Sequence, residues 1–130
     1  MMLRMFPACL SAALLVSALA APAAADGDPA SGQKLFKKCA ACHSLDEGKK
    51  KVGPSLYKIF GATPGQVAKF RYSKGMTAYG ATGVVWDEET LDAWLTKPKD
   101  LVKKTKMAFP GFKKEQDRAD VIAYLKSLSE

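Results

Sequence analysis

Cys39-Ala40-Ala41-Cys42-His43 is the stretch that decides how the rest of this chain is read. Two cysteines three positions apart near a helix end turn both thiols to one side. The residue that follows brings an imidazole to the same place. Cys-x-x-Cys-His is the attachment signal for a c-type haem, whose two vinyl groups take the thiols and whose iron takes the imidazole. Two other chemistries use such a cysteine pair. A zinc site generally wants four protein ligands, often supplied as two pairs, and beyond Cys9 near the start the sequence has no further cysteine or histidine. A thioredoxin-like redox pair belongs in a βαβ context, and no strand pattern flanks this one.

His43 is the one histidine in the sequence. The second axial position on an iron bound there therefore falls to a methionine, to a weaker ligand, or stays open. Met76 and Met107 are the methionines outside the first 25 residues. Met107 is the better candidate: Thr105-Lys106-Met107-Ala108-Phe109-Pro110-Gly111 reads as a loop between helices, from which a side chain can reach across a cavity. Methionine ordinarily fills cores, yet this one stands among lysines, away from any apolar helical stripe. Met76, in Ser73-Lys74-Gly75-Met76, is expected to form pocket wall. A thioether is a soft ligand, and Met/His ligation raises the reduction potential.

Residues 1–25 read as a cleaved secretory signal peptide. Arg4 supplies the positive start, an apolar run rich in Ala and Leu follows, and Ala23-Ala24-Ala25 gives the small-residue cleavage site. The run falls short of the roughly 20 residues a membrane span needs, so no stable membrane anchor is expected. Residues 26–130 then form one exported domain, placed in the periplasm. Cys9 leaves with the signal, and Cys39 and Cys42 remain as a pair. Lys and Arg number 20 against 13 Asp and Glu, a formal net charge of +7. Export and the lack of a recognition motif argue against nucleic acid as the partner. Clustered cations of this kind steer docking onto acidic proteins instead.

The pattern of residues 26–130 is all-α, with helices joined by long loops. Asp28 caps a first helix and Pro29 suits its first position; the helix is expected to run through Leu35 and Phe36 into Cys39. Residues 61–86, rich in Gly, Thr and Ala, read as a long functional loop. Asp87 caps a further helix with Glu88 and Glu89 in its first turn, Leu91, Trp94 and Leu95 as its stripe, and Trp86 with Leu91 as a hydrophobic staple. Pro98 ends that helix and opens a short turn. The last helix, about 115–128, places Val121, Leu125 and Leu128 on one face.

With these motifs in order, the sequence resembles the class I cytochromes c, mitochondrial cytochrome c and the bacterial periplasmic c₂ branch. The resemblance is carried by Gly32 and Phe36 ahead of the attachment motif, Gly53-Pro54-Ser55-Leu56, Phe70-Arg71-Tyr72, Val85-Trp86, Thr105-Lys106-Met107 and Ala123-Tyr124-Leu125-Lys126. It implies crossed N- and C-terminal helices, with Gly32 close to Val121 and Tyr124, around one covalent haem ligated by His43 and Met107. It further implies that the Pro54 carbonyl fixes His43, and that Tyr72 and Trp86 bond a haem propionate. Trp94 stands where mitochondrial proteins carry a tyrosine near the methionine sulfur; an indole donates a hydrogen bond but cannot accept one. Ala62 replaces an arginine common near a propionate, and Lys103-Lys104 replaces Pro-Gly before the methionine loop. The implied function is that of a monomeric one-electron carrier rather than an enzyme. Lys37, Lys38, Lys99, Lys103, Lys104 and Lys106 would meet acidic faces of a quinol-oxidising complex, a terminal oxidase or a photosynthetic reaction centre. The rival reading is a haem with a labile methionine that binds a small gas or reacts with peroxide.

Overall fold

A computed structural model describes residues 26–130; the expected signal peptide, with Arg4 and Cys9, lies outside the described residues. The elements in chain order are α1 (Pro29–Leu35), α2 (Lys37–Ala40), α3 (Lys74–Gly80), α4 (Glu88–Thr96), α5 (Pro98–Leu101) and α6 (Glu115–Ser127), with no strand among the described residues. The all-α expectation holds.

α1 starts as its sequence dictates. The Asp28 carboxylate accepts from the Ala30 and Ser31 N–H groups, and Pro29 fills the first helical position, where no N–H is needed. One change of plan follows: the expected single helix turns at Phe36, and the short α2 carries Cys39. α1 then crosses α6 at close range, because a Cβ at Gly32 would collide with the Asp120 carbonyl and lie 2.8 Å from the Tyr124 Cβ. The expected approach to Tyr124 is thus found, and the nearest backbone is that of Asp120, the residue before Val121. The crossing is tied by the Asp120 carboxylate, which accepts from the Asp28 N–H at 2.8 Å and from Gln116 at 2.9 Å. Phe36 and Tyr124 meet edge to face at 5.6 Å.

α4 begins with a capping box in which Asp87 and Thr90 satisfy each other's backbone N–H groups. Trp86 and Leu91, the expected staple, are both buried in the core. α4 is pinned to α6 by Arg118, whose Nε lies 2.7 Å from an Asp92 carboxylate oxygen and which also donates to the Phe112 carbonyl at 3.0 Å. α5 begins at Pro98, as the sequence suggested. Two expectations are corrected. The segment 61–86 is not all loop, since Ser73 caps α3 by accepting from the Met76 N–H. Leu128 is 40% exposed, because it caps the end of α6 instead of extending its apolar face.

Candidate functional site

The fold leaves a cavity of about 330 Å³ between the attachment segment, residues 52–59, α4, the methionine loop and α6. That size falls in the range of cofactor pockets. All eight residues singled out from the sequence line it: Cys39, Cys42, His43, Pro54, Tyr72, Trp86, Trp94 and Met107. Met76 lines it as well and is buried, as expected of a wall residue. Phe36, Phe70, Leu95, Phe109, Val121 and Leu125 complete an apolar shell.

His43 is the most constrained of these side chains. Its Nδ1 lies 2.8 Å from the Pro54 carbonyl oxygen. A carbonyl can only accept, so Nδ1 carries the hydrogen and Nε2 keeps its lone pair, the form in which imidazole binds a metal. Burial pushes the imidazole below its ordinary value; the Pro54 hydrogen bond opposes this, and the Lys51 charge adds to it. The ring also presses on Gly53, where a Cβ would lie 2.5 to 3.0 Å from three of its atoms. Only glycine fits there. The wall is held by Gly53 N–H to the Cys42 carbonyl at 2.8 Å and Lys51 N–H to the Gly53 carbonyl at 3.0 Å.

The two cysteines are free thiols, Cys39 half-buried and Cys42 exposed. Burial first, and the neighbouring Cys42 second, push the Cys39 thiol up to about 11, with Lys38 pulling the other way. A dithiol oxidoreductase needs the opposite, a thiol lowered enough to attack as thiolate. Among the described residues no group of three or more His, Cys, Asp or Glu side chains is gathered where it could hold a metal ion. The donor set is one imidazole, two thiols and a thioether around an apolar hollow. Those are the groups a c-type haem requires, and the residues present fit it.

The aromatic lining is backed from behind. Trp86 and Trp94, which line the cavity, lie 5.6 Å apart between centroids, and Tyr79 packs on Trp86 at 5.9 Å. Trp86 is set by a two-bond bracket, its N–H to the Ala62 carbonyl at 2.8 Å and its carbonyl to the Gly61 N–H at 2.7 Å. Tyr72 packs edge to face on Phe70 at 4.8 Å. Its hydroxyl oxygen accepts from the Val67 N–H at 3.2 Å, so its own hydrogen is free to be donated; burial raises its pKa and keeps it a neutral donor.

Met107 comes from a loop held more lightly. Its N–H donates to Thr105 Oγ1 at 3.3 Å, and the Thr105 N–H donates to the Val102 carbonyl at 3.3 Å. Lys104 adopts the left-handed conformation, φ +57°. One tether crosses to the facing segment: Lys106 Nζ donates to the Arg71 carbonyl at 2.6 Å. Sequence reasoning gave Lys106 a docking role only, and gave Lys51 no role at all.

Comparison with known proteins agrees with this geometry. The family model described as Cytochrome c matches residues 29–129. A cytochrome c2 of Afifella marina is 46% identical over 99 residues, 75% of this chain and 80% of that one. A cytochrome c of Nigella damascena is 46% identical over 102 residues, 77% of this chain and 89% of that one. Among solved structures, cytochrome c2 from Rhodospirillum centenum superposes with a TM-score of 0.74 at 37% identity, covering 80% of this chain and 100% of that one. Cytochrome cH from Methylobacterium extorquens gives 0.70 at 39% identity, covering 78% and 99%. By motif, fold and kinship the chain belongs to the cytochrome c family, electron carriers that are not enzymes and hold one covalently bound haem c.

Proposed function

We propose that Cys39 and Cys42 would hold a haem by adding their S–H groups across its two vinyl groups, and that His43 Nε2 and the Met107 sulfur would be the protein's ligands to its iron. The bound haem supplies one-electron Fe(III)/Fe(II) exchange. The chain's own residues make that exchange easy to repeat. The Pro54 carbonyl holds the imidazole in one tautomer and one orientation and raises its basicity as a ligand. Tyr72 and Trp86 offer an O–H and an N–H to a propionate, which otherwise would be a costly buried charge. Trp94, packed on Trp86, can donate toward the methionine end and accept nothing there. With His43 and Met107 both engaged by a bound haem, the chain would suit one-electron exchange rather than turnover of a substrate.

The observation that carries this reading is the convergence of a tautomer-locked His43 and a loop-borne thioether, Met107, on one apolar cavity. An optical spectrum of the ferric protein tests it. The expected result is low-spin iron with the weak sulfur-to-iron band at the red end, lost in Met107→Ala and kept in Met76→Ala. High-spin ferric iron in the unmutated protein would overturn it.

The surroundings suit a shuttle in the periplasm between membrane-bound redox complexes, respiratory or photosynthetic, reached after cleavage of residues 1–25. Among the described residues no helix is long and apolar enough to cross a membrane. Lys37, Lys38, Lys99, Lys103, Lys104 and Lys106 are exposed and would attract acidic faces of a quinol-oxidising complex, a terminal oxidase or a reaction centre. Electron-transfer rates with such a partner should fall as salt rises through the range where the Debye length shrinks to about 10 Å. A rate that rises or stays flat counts against lysine docking.

A further inference from the structure

Lys49-Lys50-Lys51 reads as a solvated run of charge, but its third member, though exposed, folds back along the surface onto the main chain. The Lys51 ammonium donates to the Ala40 carbonyl, within the attachment motif itself. That carbonyl belongs to the last residue of α2, where helix ends leave acceptors without a partner and a cation is welcome. The Lys51 backbone N–H holds the Gly53 carbonyl, and the Gly53 N–H holds the Cys42 carbonyl. Gly53 in turn forms the wall on which the His43 ring rests. One residue therefore grips both the segment that anchors the haem and the wall that orients its ligand. Lys49 behaves differently: it pairs at 3.4 Å with Asp46, both side chains more than 60% exposed.

We propose that Lys51 is a positioning residue for His43. Its two arms tie Ala40 to Gly53-Pro54, so the imidazole plane and the Nδ1–H bond to Pro54 hold still while the iron changes charge. Its ammonium, fixed beside the ligand in place of swinging in solvent, also favours the ferrous state. This rests on the reading that His43 ligates the iron, and it differs from docking, because the effect belongs to the protein alone.

Three variants of the haem-loaded protein test the side-chain arm. Lys51→Met keeps the aliphatic stem and removes donor and charge, Lys51→Arg keeps both, and Lys50→Met is the control for net charge. The measurements are the midpoint potential and the exchange rate of the His43 Nδ1 proton in the ferrous protein, read by NMR. Lys51→Met should shift the redox equilibrium toward ferric by about threefold, ~30 mV at 59 mV per tenfold for one electron. It should also speed Nδ1–H exchange by about tenfold, the size expected when one supporting hydrogen bond is lost. Lys51→Arg should restore both, and Lys50→Met should move neither by more than a fraction of these amounts. If Lys51→Met and Lys50→Met coincide in both readouts while the ferric spectrum still reports histidine ligation, the inference is overturned and the ligation reading stands. If the unmutated spectrum lacks histidine ligation, the ligation reading itself has failed, and this inference with it.

Discussion

The histidine side and the methionine side of the cavity are built by different means. Around His43 the backbone is cross-linked to itself. Gly53 bonds to Cys42, Lys51 to Gly53, Leu56 to Ser44 at 2.8 Å, and the Ser55 hydroxyl to the Asp46 carbonyl at 2.6 Å. Around Met107 the backbone bonds stretch to 3.3 Å, and a single lysine side chain bridges to the facing segment. Aromatic packing does the rest, with Phe109 edge to face on Phe112 at 5.0 Å. On the proposed ligation, one ligand would be imposed by the fold and the other offered by a loop. A thioether on a lightly held loop would also make the weaker of the two proposed bonds, so loosening is expected to start there.

The comparison can be broken from the strong side. Gly53→Ala puts a methyl group into the imidazole, and neither the ring nor the wall has room to yield. Overpacking of this kind costs about 2–3 kcal/mol, and denaturant unfolding of the variant should show it, along with a disturbed histidine-ligated spectrum. Unchanged stability would mean that the wall is as adaptable as the methionine loop.

It can be sharpened from the weak side with two changes of opposite sign. Lys106→Met removes the tether to Arg71, a loss of about 0.5–1 kcal/mol for one exposed bond. Binding of added imidazole to the ferric iron should then tighten by about threefold, in keeping with that energy. Lys104→Gly relieves a left-handed lysine, a penalty of about 1–2 kcal/mol, against roughly 0.5–1 kcal/mol of extra chain entropy from glycine. A net gain of about 0.5–1 kcal/mol should appear in thermal unfolding, with imidazole binding weakened. Lys58→Gly, at another left-handed lysine (φ +46°), should stabilise to a similar degree and leave imidazole binding as it was. Imidazole affinities that ignore both loop variants would show that the methionine side is as firmly fixed as the histidine side.

The sequence was most legible where chemistry needs adjacent residues. Cys39, Cys42 and His43 are a local pattern, and Asp28 and Asp87 announce helix starts through bonds that span three residues. Met107 was reached by elimination and proves to line the cavity. α3 was missed because Lys74-Gly75-Met76-Thr77-Ala78-Tyr79-Gly80 has two glycines and a β-branched residue, weak helix formers all. Tertiary packing holds it: Met76 is buried in the cavity wall, and Gly80 fits tightly against the Pro64 carbonyl. Lys51 was illegible for a related reason. Nothing in a run of three lysines says which one folds back, because its acceptor, Ala40, is 11 residues away. The left-handed turn at Lys104 leaves no trace either, since lysine is not a residue that turns select.

The bond from the Asp28 N–H to the Asp120 carboxylate joins positions 92 residues apart. A growing chain emerges from its N-terminus, so the cysteine pair is in the open long before the partner that braces α1 has been made. Closing so large a loop costs entropy that must be met before the contact rewards it. Cys39, Cys42 and His43 thus lie on the part of the domain made first, and the helix that braces α1 is the part made last.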